Sequence, residues 1–577
     1  MREASQGPDG MLIEPDVPIP MDDGLVLRAD VFRPDGEGAF PVILTYGPYG
    51  KGLAFQEGYK DQWDALVREH PDVIAGSSNE HQNWEVVDPE KWVPSGYVCV
   101  RVDSRGAGRS PGYLDVFSPR ETRDLYTCIE WAGTQPWSNG KVGLLGISYY
   151  AINQWHVASL RPPHLAAICP WEGAADWYRD MTHHGGIVCT FWGNWFVKQV
   201  LPVQHGLGER GFVSRRTGEW VAGPETLSPR ELARTRGDLD KEILEHPLDD
   251  DYHRERSPDW EKIDVPLLSS ANWGGQGLHS RGNFEGFTRA ASRQKWLEVH
   301  GLEHWTHFYT DYGRSTQKRF LDHFLKGDDN DWTSQPRVLL QVRKVDGSFV
   351  ERSEDEWPLA RTRWTRHYLD ARTMGLSPDG VAETASAEFE PLGDGITFST
   401  QPVERDTELT GPVAARLFVS SSTADADLFL VLRVFSPQAR EVTFQGAIDP
   451  HTPVAQGWLR ASHRKLDPTF SLEYRPVHAH DEIQPLTPGE IYELDVEIWP
   501  TSVIVPPDYR VALSVRGRDY EHEGAGARIA SFSNELRGSG PFLHDDARDR
   551  PAEIFGGTTT VHTGGDAASY LLLPLIP

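Results

Sequence analysis

The sequence predicts two joined architectures: an α/β domain with a mostly parallel, doubly wound sheet, then an all-β sandwich. Three observations carry this. Continuous apolar runs of strand length recur, among them FPVILTY at 40–46 and YVCVRVD at 97–103, as strands buried on both faces require. Helix-spaced segments alternate with them, the pattern of a parallel sheet covered on both sides. From about residue 335 the texture changes to short alternating runs (ARLFVSS, LFLVLRVF, YELDVEIW, YRVALSVRG) between Pro- and Gly-bearing turns, which reads as a jelly roll.

In chain order, a short polar leader precedes a half-exposed strand at 24–32, and Arg33-Pro-Asp-Gly36 turns the chain into the buried strand 40–46. That strand runs into the loop Gly47-Pro-Tyr-Gly-Lys51, at the end where open α/β sheets place ligands. Residues 77–94 (SSNEHQNWEVVDPEKWVP) have neither helical nor strand period and stay unassigned. Strand 97–103 is followed by SRGAGRSPG. Its glycines are spaced GxGxxxG and Pro111 interrupts the helix that should follow, so a dinucleotide loop is not expected. A helix is expected over 119–134, from its apolar spacing and early acidic residue. A strand, a turn and a helix follow at 141–155, and a buried strand at 164–169. From 171 to 258 the chain is aromatic, Gly-bearing and charged, with helical stretches at 228–236 and 239–245, as in a cap over a site. Strands return at 265–270 and 294–299, and an amphipathic helix closes the domain at 316–325.

At 577 residues the chain exceeds one hydrophobic core. The expected division is an α/β domain in two pieces, 1–180 and 259–332, a helical cap at 181–258 and the sandwich at 333–577. The balance of 57 basic against 85 acidic residues gives −28, which repels nucleic acid and anionic membrane and excludes both as partners. The start of the chain has no apolar core of a signal peptide, and no apolar run reaches membrane-spanning length, so a cytoplasmic location is expected. Cys99, Cys128, Cys169 and Cys189 show no CxxC spacing and read as buried thiols, neither a disulfide frame nor a zinc site. Of the 20 Trp, Trp171, Trp177, Trp192 and Trp195 crowd one region, as core or as the wall of an apolar pocket.

Chemistry concentrates in Lys141–Trp155, KVGLLGISYYAINQW. Ser148 sits between a buried strand and a helix, with Gly146 before it and Ala151 after it, where small side chains let the two elements cross closely. This is the nucleophile elbow of an α/β-hydrolase, which holds one hydroxyl where a base and a substrate both reach it. A serine needs a neutral imidazole to take its proton. The strand 294–299 delivers His300, His304 and His307, and His304 stands far enough past its end to fold back as the base.

Gly146-Ile-Ser148-Tyr-Tyr-Ala151, Gly47-Pro-Tyr49-Gly-Lys51, Asp103-Ser-Arg-Gly-Ala-Gly-Arg-Ser110 and the C-terminal sandwich together resemble the family of cocaine esterase, α-amino-acid ester hydrolases and X-Pro dipeptidyl-peptidases, the CocE/NonD hydrolases. The resemblance covers most of the chain in the same domain order. It implies a serine hydrolase with a helical cap, with the Tyr49 hydroxyl and the Tyr149 backbone N–H as oxyanion donors. One departure stands out: where such enzymes carry an aspartate after a strand, this chain has Asn272-Trp-Gly-Gly275. Glu172, after the strand that follows the elbow, is the favoured substitute acid, ahead of Asp176, Glu303 and Asp311. Other α/β-hydrolases, certain lipases among them, draw the acid from this neighbouring strand.

The expected activity is hydrolysis of an ester or amide through an acyl-enzyme, esterase-like, with an apolar or aromatic acyl group. X-Pro dipeptidyl-peptidase activity and a non-catalytic binding protein on a hydrolase scaffold are the alternatives. The partner is a small ester, amide or short peptide, a homo-oligomer is left open, and no metal or organic cofactor is needed.

Overall fold

The computed structural model describes residues 4–577. The sheet of the first domain is built on β1 (Met11–Pro20), β2 (Val26–Pro34), β3 (Phe40–Gly47), β4 (Val98–Asp103), β5 (Ser138–Ile147), β6 (Leu165–Trp171), β7 (Leu267–Asn272), β8 (Lys295–His300) and β9 (Val338–Lys344), with Ser5–Gln6 paired to β1 and Phe349–Glu354 to β9. Their order is β1-β2-β4-β3-β5-β6-β7-β8-β9, parallel from β4 to β9 and antiparallel at the β1-β2-β4 edge. This is the α/β-hydrolase sheet.

Four helices cover it: α1 (Pro119–Gly133), α2 (Tyr149–Ala158), α3 (Ser280–Arg289) and α4 (Asp311–Leu321). Leu125, Cys128 and Ile129 of α1 and Val157 and Ala158 of α2 pack with Val42, Leu44, Val100 and Leu144 on one face. Phe320 and Leu321 of α4 join Ile43, Cys99 and Leu145 on the other. Alternate residues of one strand therefore feed two cores, which is why these strands read as unbroken apolar runs.

Two expectations change. The polar leader contains β1: MLIEPDVPIP pairs with β2 around a register shift between Glu14 and Val17. Past Leu12 and Ile13, which pair with Gln6 and Ser5, one side of β1 is free of ladder bonds, and Pro15, Pro18 and Pro20 are tolerated there. The unassigned stretch 77–94 is largely buried from His81 to Glu90 and ends in a short helix, Pro89–Trp92.

Between β6 and β7 the chain forms the cap from short pieces, including helices Phe191–Trp195, Pro229–Arg234, Leu239–Glu245 and Asp251–Arg254. Ser228 and Glu231 form a reciprocal capping box on the second of these.

The C-terminal part is a β-sandwich. One sheet holds β10 (Arg363–Asp370), β17 (Tyr570–Ile576), β11 (Thr407–Ser421) and β14 (Tyr492–Val505). The other holds β13 (Ala455–Arg460), β12 (Asp427–Phe435) and β15 (Arg510–Arg516), while β16 (Thr559–Thr563) pairs with β11. Leu428, Leu430, Leu432, Leu494, Val496 and Leu513 meet in its core. β9 pairs with β8 on one side and with β14 at Arg343–Val503, so the two sheets are joined. Among the described residues no helix is long and apolar enough to cross a membrane.

Candidate active site

Ser148 stands at the tip of β5 with φ 55° and ψ −113° and is followed directly by α2. A serine at positive φ costs about 1–3 kcal/mol, and the surrounding contacts hold it there. The Ser148 N–H donates to the Trp171 carbonyl at 3.2 Å, and the Ile147 N–H to the Glu85 carbonyl at 3.0 Å. The small residues have specific work: a Cβ on Gly146 would stand 2.4 Å from the Tyr150 Cβ, and one on Gly173 3.0 Å from the Ala151 Cβ. Ser148 itself is only half-buried, so its hydroxyl is reachable.

The histidine on that hydroxyl is His279. Its Nε2 lies 3.0 Å from Ser148 Oγ. It precedes α3, at the end of the turn that follows β7. Burial of the ring pushes its pKa down to about 3, so it is the neutral imidazole a base requires. Its Nδ1 is buried without a hydrogen-bond partner.

The sequence favours His304 for that contact, and the structure directs it elsewhere. His304 Nε2 pairs with Glu85 Oε1 at 3.0 Å, and its ring centre is 5.5 Å from that of His279. The His304 N–H donates to the Ala447 carbonyl of the sandwich at 2.9 Å. Burial drives both groups of the pair toward neutrality, Glu85 well above the usual carboxyl range, with Glu172 adding to the rise, and His304 well below the usual imidazole range. The pair is therefore a carboxylic acid facing a neutral ring.

Glu172 is displaced in the same sense. It follows β6 at φ 53° and is fully buried, but its Oε1 accepts from His300 Nε2 at 2.9 Å and from Asn272 Nδ2 at 3.1 Å. His300 Nδ1 is 2.8 Å from Glu298 Oε2. Burial pulls the His300 pKa down, but Glu298 and Glu172 outweigh it and lift it to about 10. Burial raises Glu172 while Glu298 is lowered, so Glu298 is the carboxylate that balances the charged ring. Of the other acids weighed, Asp176 bonds Arg179, Glu303 bonds Thr306 and Asp311 bonds Arg314.

The stretch Asn272-Trp-Gly-Gly275, which carries no carboxylate, is packed tightly against the sandwich at Gly274. A Cβ on Gly274 would stand 2.4 Å from Gly446 Cα of the sandwich, whose Ala447 N–H donates to the Gly274 carbonyl at 3.0 Å. Asn272 instead ties loops together, donating to the Leu302 carbonyl at 2.8 Å and accepting the Gly274 N–H at 2.8 Å.

Tyr49 lies in the loop after β3. Its hydroxyl accepts from Trp195 Nε1 at 3.1 Å, and its pKa is raised by burial and by Glu85. The loop is anchored by Asp103, whose carboxylate accepts the Lys51 N–H at 2.6 Å and the Arg109 N–H at 2.8 Å. Gly108, at φ 53°, makes room for that carboxylate, since a Cβ there would stand 2.2 Å from it. The Tyr149 N–H is in the first turn of α2, where helix geometry provides no acceptor. The Tyr149 side chain points away, its hydroxyl bonded to Glu121.

Sequence reasoning missed His279 and Glu85. His279 was signalled only by lying seven residues beyond the end of a sheet strand, and Glu85 only as a single carboxyl between Trp84 and Val86-Val87.

Residues 23–309 match the family profile "X-Pro dipeptidyl-peptidase (S15 family)", and residues 330–572 match "X-Pro dipeptidyl-peptidase C-terminal non-catalytic domain". A solved CocE/NonD family hydrolase from Staphylococcus aureus is 32% identical, with 98% of this chain and 94% of that one covered and a TM-score of 0.82. The chain belongs to the CocE/NonD hydrolase family. It is a serine hydrolase. Cocaine esterase of Rhodococcus sp. (strain MB1 Bresler) is 23% identical over 97% of this chain and 98% of that protein. A putative serine esterase of Mycobacterium bovis is 26% identical over 87% of this chain and 90% of that protein. In this CocE/NonD hydrolase a half-buried hydroxyl on an elbow and a neutral imidazole 3.0 Å from it are groups that acyl transfer needs.

Proposed function

We propose that this hydrolase cleaves carboxylic esters through an acyl-enzyme on Ser148, with His279 as general base and an apolar or aromatic acyl group. The single observation that carries the base assignment is the 3.0 Å contact between His279 Nε2 and Ser148 Oγ. Ser148 Oγ attacks the ester carbonyl carbon as its proton passes to Nε2. The tetrahedral oxyanion takes hydrogen bonds from the Tyr49 hydroxyl and the Tyr149 N–H. Its collapse breaks the bond to the alkoxy oxygen, which leaves as the alcohol with the proton from Nε2. A water then attacks the acyl carbon as its proton passes to the same nitrogen, and collapse breaks the bond to Ser148 Oγ, which takes that proton back from Nε2 as the acid leaves.

The surroundings of Tyr49 support an aromatic or apolar acyl group. The rings of Tyr59, Tyr149, Tyr150 and Trp195 stand 5.8–6.3 Å from that of Tyr49, centre to centre. Glu85, the carboxyl beside Tyr49, is taken up by His304 and kept protonated by burial, so it is not an anchor for a substrate ammonium. That favours esters over X-Pro peptides.

A fluorophosphonate probe tests the nucleophile: wild type should label and Ser148→Ala should not. para-Nitrophenyl esters set against X-Pro and α-amino-acid amides test the substrate class. Faster turnover of an X-Pro amide than of any ester would replace the esterase reading, and equal labelling of Ser148→Ala would end it.

A further inference from the structure

A second cluster of reactive side chains lies where the cap meets the sandwich, and hydrolysis does not use it. Two short strands, His183–His184 and Ile187–Val188, turn through Gly185 and Gly186 at φ 57° and 93°. The turn is pressed against β13, where a Cβ on Gly185 would stand 2.1 Å from the Trp458 carbonyl oxygen. At this junction His184 Nδ1 faces His544 Nε2 at 2.8 Å.

The outer nitrogens of both rings are already committed. His184 Nε2 is 3.0 Å from the Asp180 carbonyl, and His544 Nδ1 is 2.8 Å from the Asp519 carboxylate. Those oxygens only accept, so each outer nitrogen carries its ring's proton. In two neutral rings the inner nitrogens then aim lone pairs at one another. Such a contact needs a positive centre between its members, either one shared proton or a metal ion. Cys189 supplies a third donor: its Sγ and the two imidazole groups offer ligand atoms that all lie within 4.8 Å of one another. His184, Cys189 and His544 are 1%, 2% and 0% exposed.

We propose that His184, Cys189 and His544 bind a divalent transition-metal ion of the zinc type, which fastens the cap hairpin to the sandwich. Two imidazole nitrogens and one thiolate are the donor set of such an ion, whereas magnesium and calcium take oxygen. With metal–nitrogen bonds of about 2.0–2.1 Å, a tetrahedral centre separates two ring nitrogens by roughly 3.3 Å, so a small opening of the 2.8 Å contact admits it. The Asp180 carbonyl and the Asp519 carboxylate are the outer partners that metal-bound histidines use to fix their tautomer. Asp519 is itself held by the His544 N–H at 2.7 Å. Binding exchanges the thiol proton of Cys189 for the sulfur–metal bond and releases that proton to solvent. The two positive charges are balanced by the thiolate and Asp519, as a buried site requires. Rings of Trp458 and Phe429 wall the cluster, Trp458 at 4.9 Å from His184 and 5.5 Å from His544, and Phe429 at 5.5 Å from His544. A water fills the fourth position. The ligands come from positions 184, 189 and 544, so no short motif announces them. The inference is independent of the roles assigned around Ser148.

The test uses the full-length protein, reduced, incubated with excess Zn2+ or Co2+ and then gel-filtered. The expected result is about one ion per chain, with a thiolate-to-cobalt charge-transfer band in the cobalt form. Cys189→Ser should lose the band, and His544→Asn should lose the bound ion. Asp519→Asn should weaken zinc binding about 10- to 100-fold. Less than a tenth of an equivalent in wild type, or full retention by both ligand variants, overturns the proposal. Where a variant does not fold, the wild-type cobalt spectrum decides alone, since absence of the thiolate band is a refutation.

Discussion

His279 Nε2 lies 3.0 Å from Ser148 Oγ, while Nδ1 of the same buried ring has no partner. In a Ser-His-acid triad that second nitrogen donates to a carboxylate, which fixes the tautomer and stabilises the imidazolium that forms. Here burial keeps the ring neutral, and among the described residues no carboxylate hydrogen-bonds its second nitrogen. The proposed machinery is thus a dyad of Ser148 and His279, with the His304–Glu85 pair beside it.

The first prediction separates the two histidines. His279→Ala removes the group that receives the serine proton and should lower kcat on a para-nitrophenyl ester by about 10²- to 10⁴-fold. His304→Ala should cost less than about tenfold, because its ring contacts Glu85 and not the nucleophile. Both variants should remain folded by circular dichroism. The reverse ranking would make His304 the base and require its ring to turn away from Glu85.

The second concerns pH. A base works in its neutral form, and burial lowers the His279 pKa from the usual 6.5 to about 3. The ring is thus neutral throughout pH 4 to 8, and kcat/KM should be flat across that range, without the loss near pH 6–7 that an ordinary histidine base gives. The measurement is initial rates on a neutral ester, with enzyme returned to pH 7 to confirm that activity recovers. A reversible limb centred between pH 6 and 7 would show that the ring titrates as a solvated one.

Much of this was legible in the sequence. The parallel strands declare themselves because burial on both faces leaves unbroken apolar runs, and Ser148 declares itself because the elbow demands small neighbours at fixed offsets. β1 hid behind its prolines, which argue against a strand everywhere except at an edge. Glu85 and His279 hid for another reason. Their roles depend on where loops after β7 and before β4 fold, and loop conformation is set by contacts such as Gly274 against Gly446 that join residues far apart in sequence.

The third prediction addresses Tyr49. If its hydroxyl stabilises the oxyanion, Tyr49→Phe should lower kcat by about 10²- to 10³-fold with little change in KM, because the interaction forms only in the transition state. Its ring packs among Tyr59, Tyr149, Tyr150 and Trp195, so Phe preserves shape and the fold should survive. A rise in KM at unchanged kcat would reassign Tyr49 to substrate binding.

The fourth separates a structural from a catalytic Glu172. The buried array Glu298–His300–Glu172 carries a His300 ring whose pKa is lifted to about 10. A ring pKa above its unfolded value stabilises the fold fully below about pH 6.5, and that contribution is lost as pH rises toward 10. The wild-type Tm should therefore fall across pH 6.5–10, and His300→Gln should start lower at pH 6 and show less of that fall. Glu172→Gln keeps an oxygen acceptor for His300 Nε2 at nearly unchanged shape. It should leave kcat within about tenfold of wild type, since Glu172 reaches neither His279 nor Ser148 by a hydrogen bond. A loss of several orders of magnitude in a folded Glu172→Gln enzyme would restore Glu172 as the acid of a triad, with His300 or His304 moving during turnover.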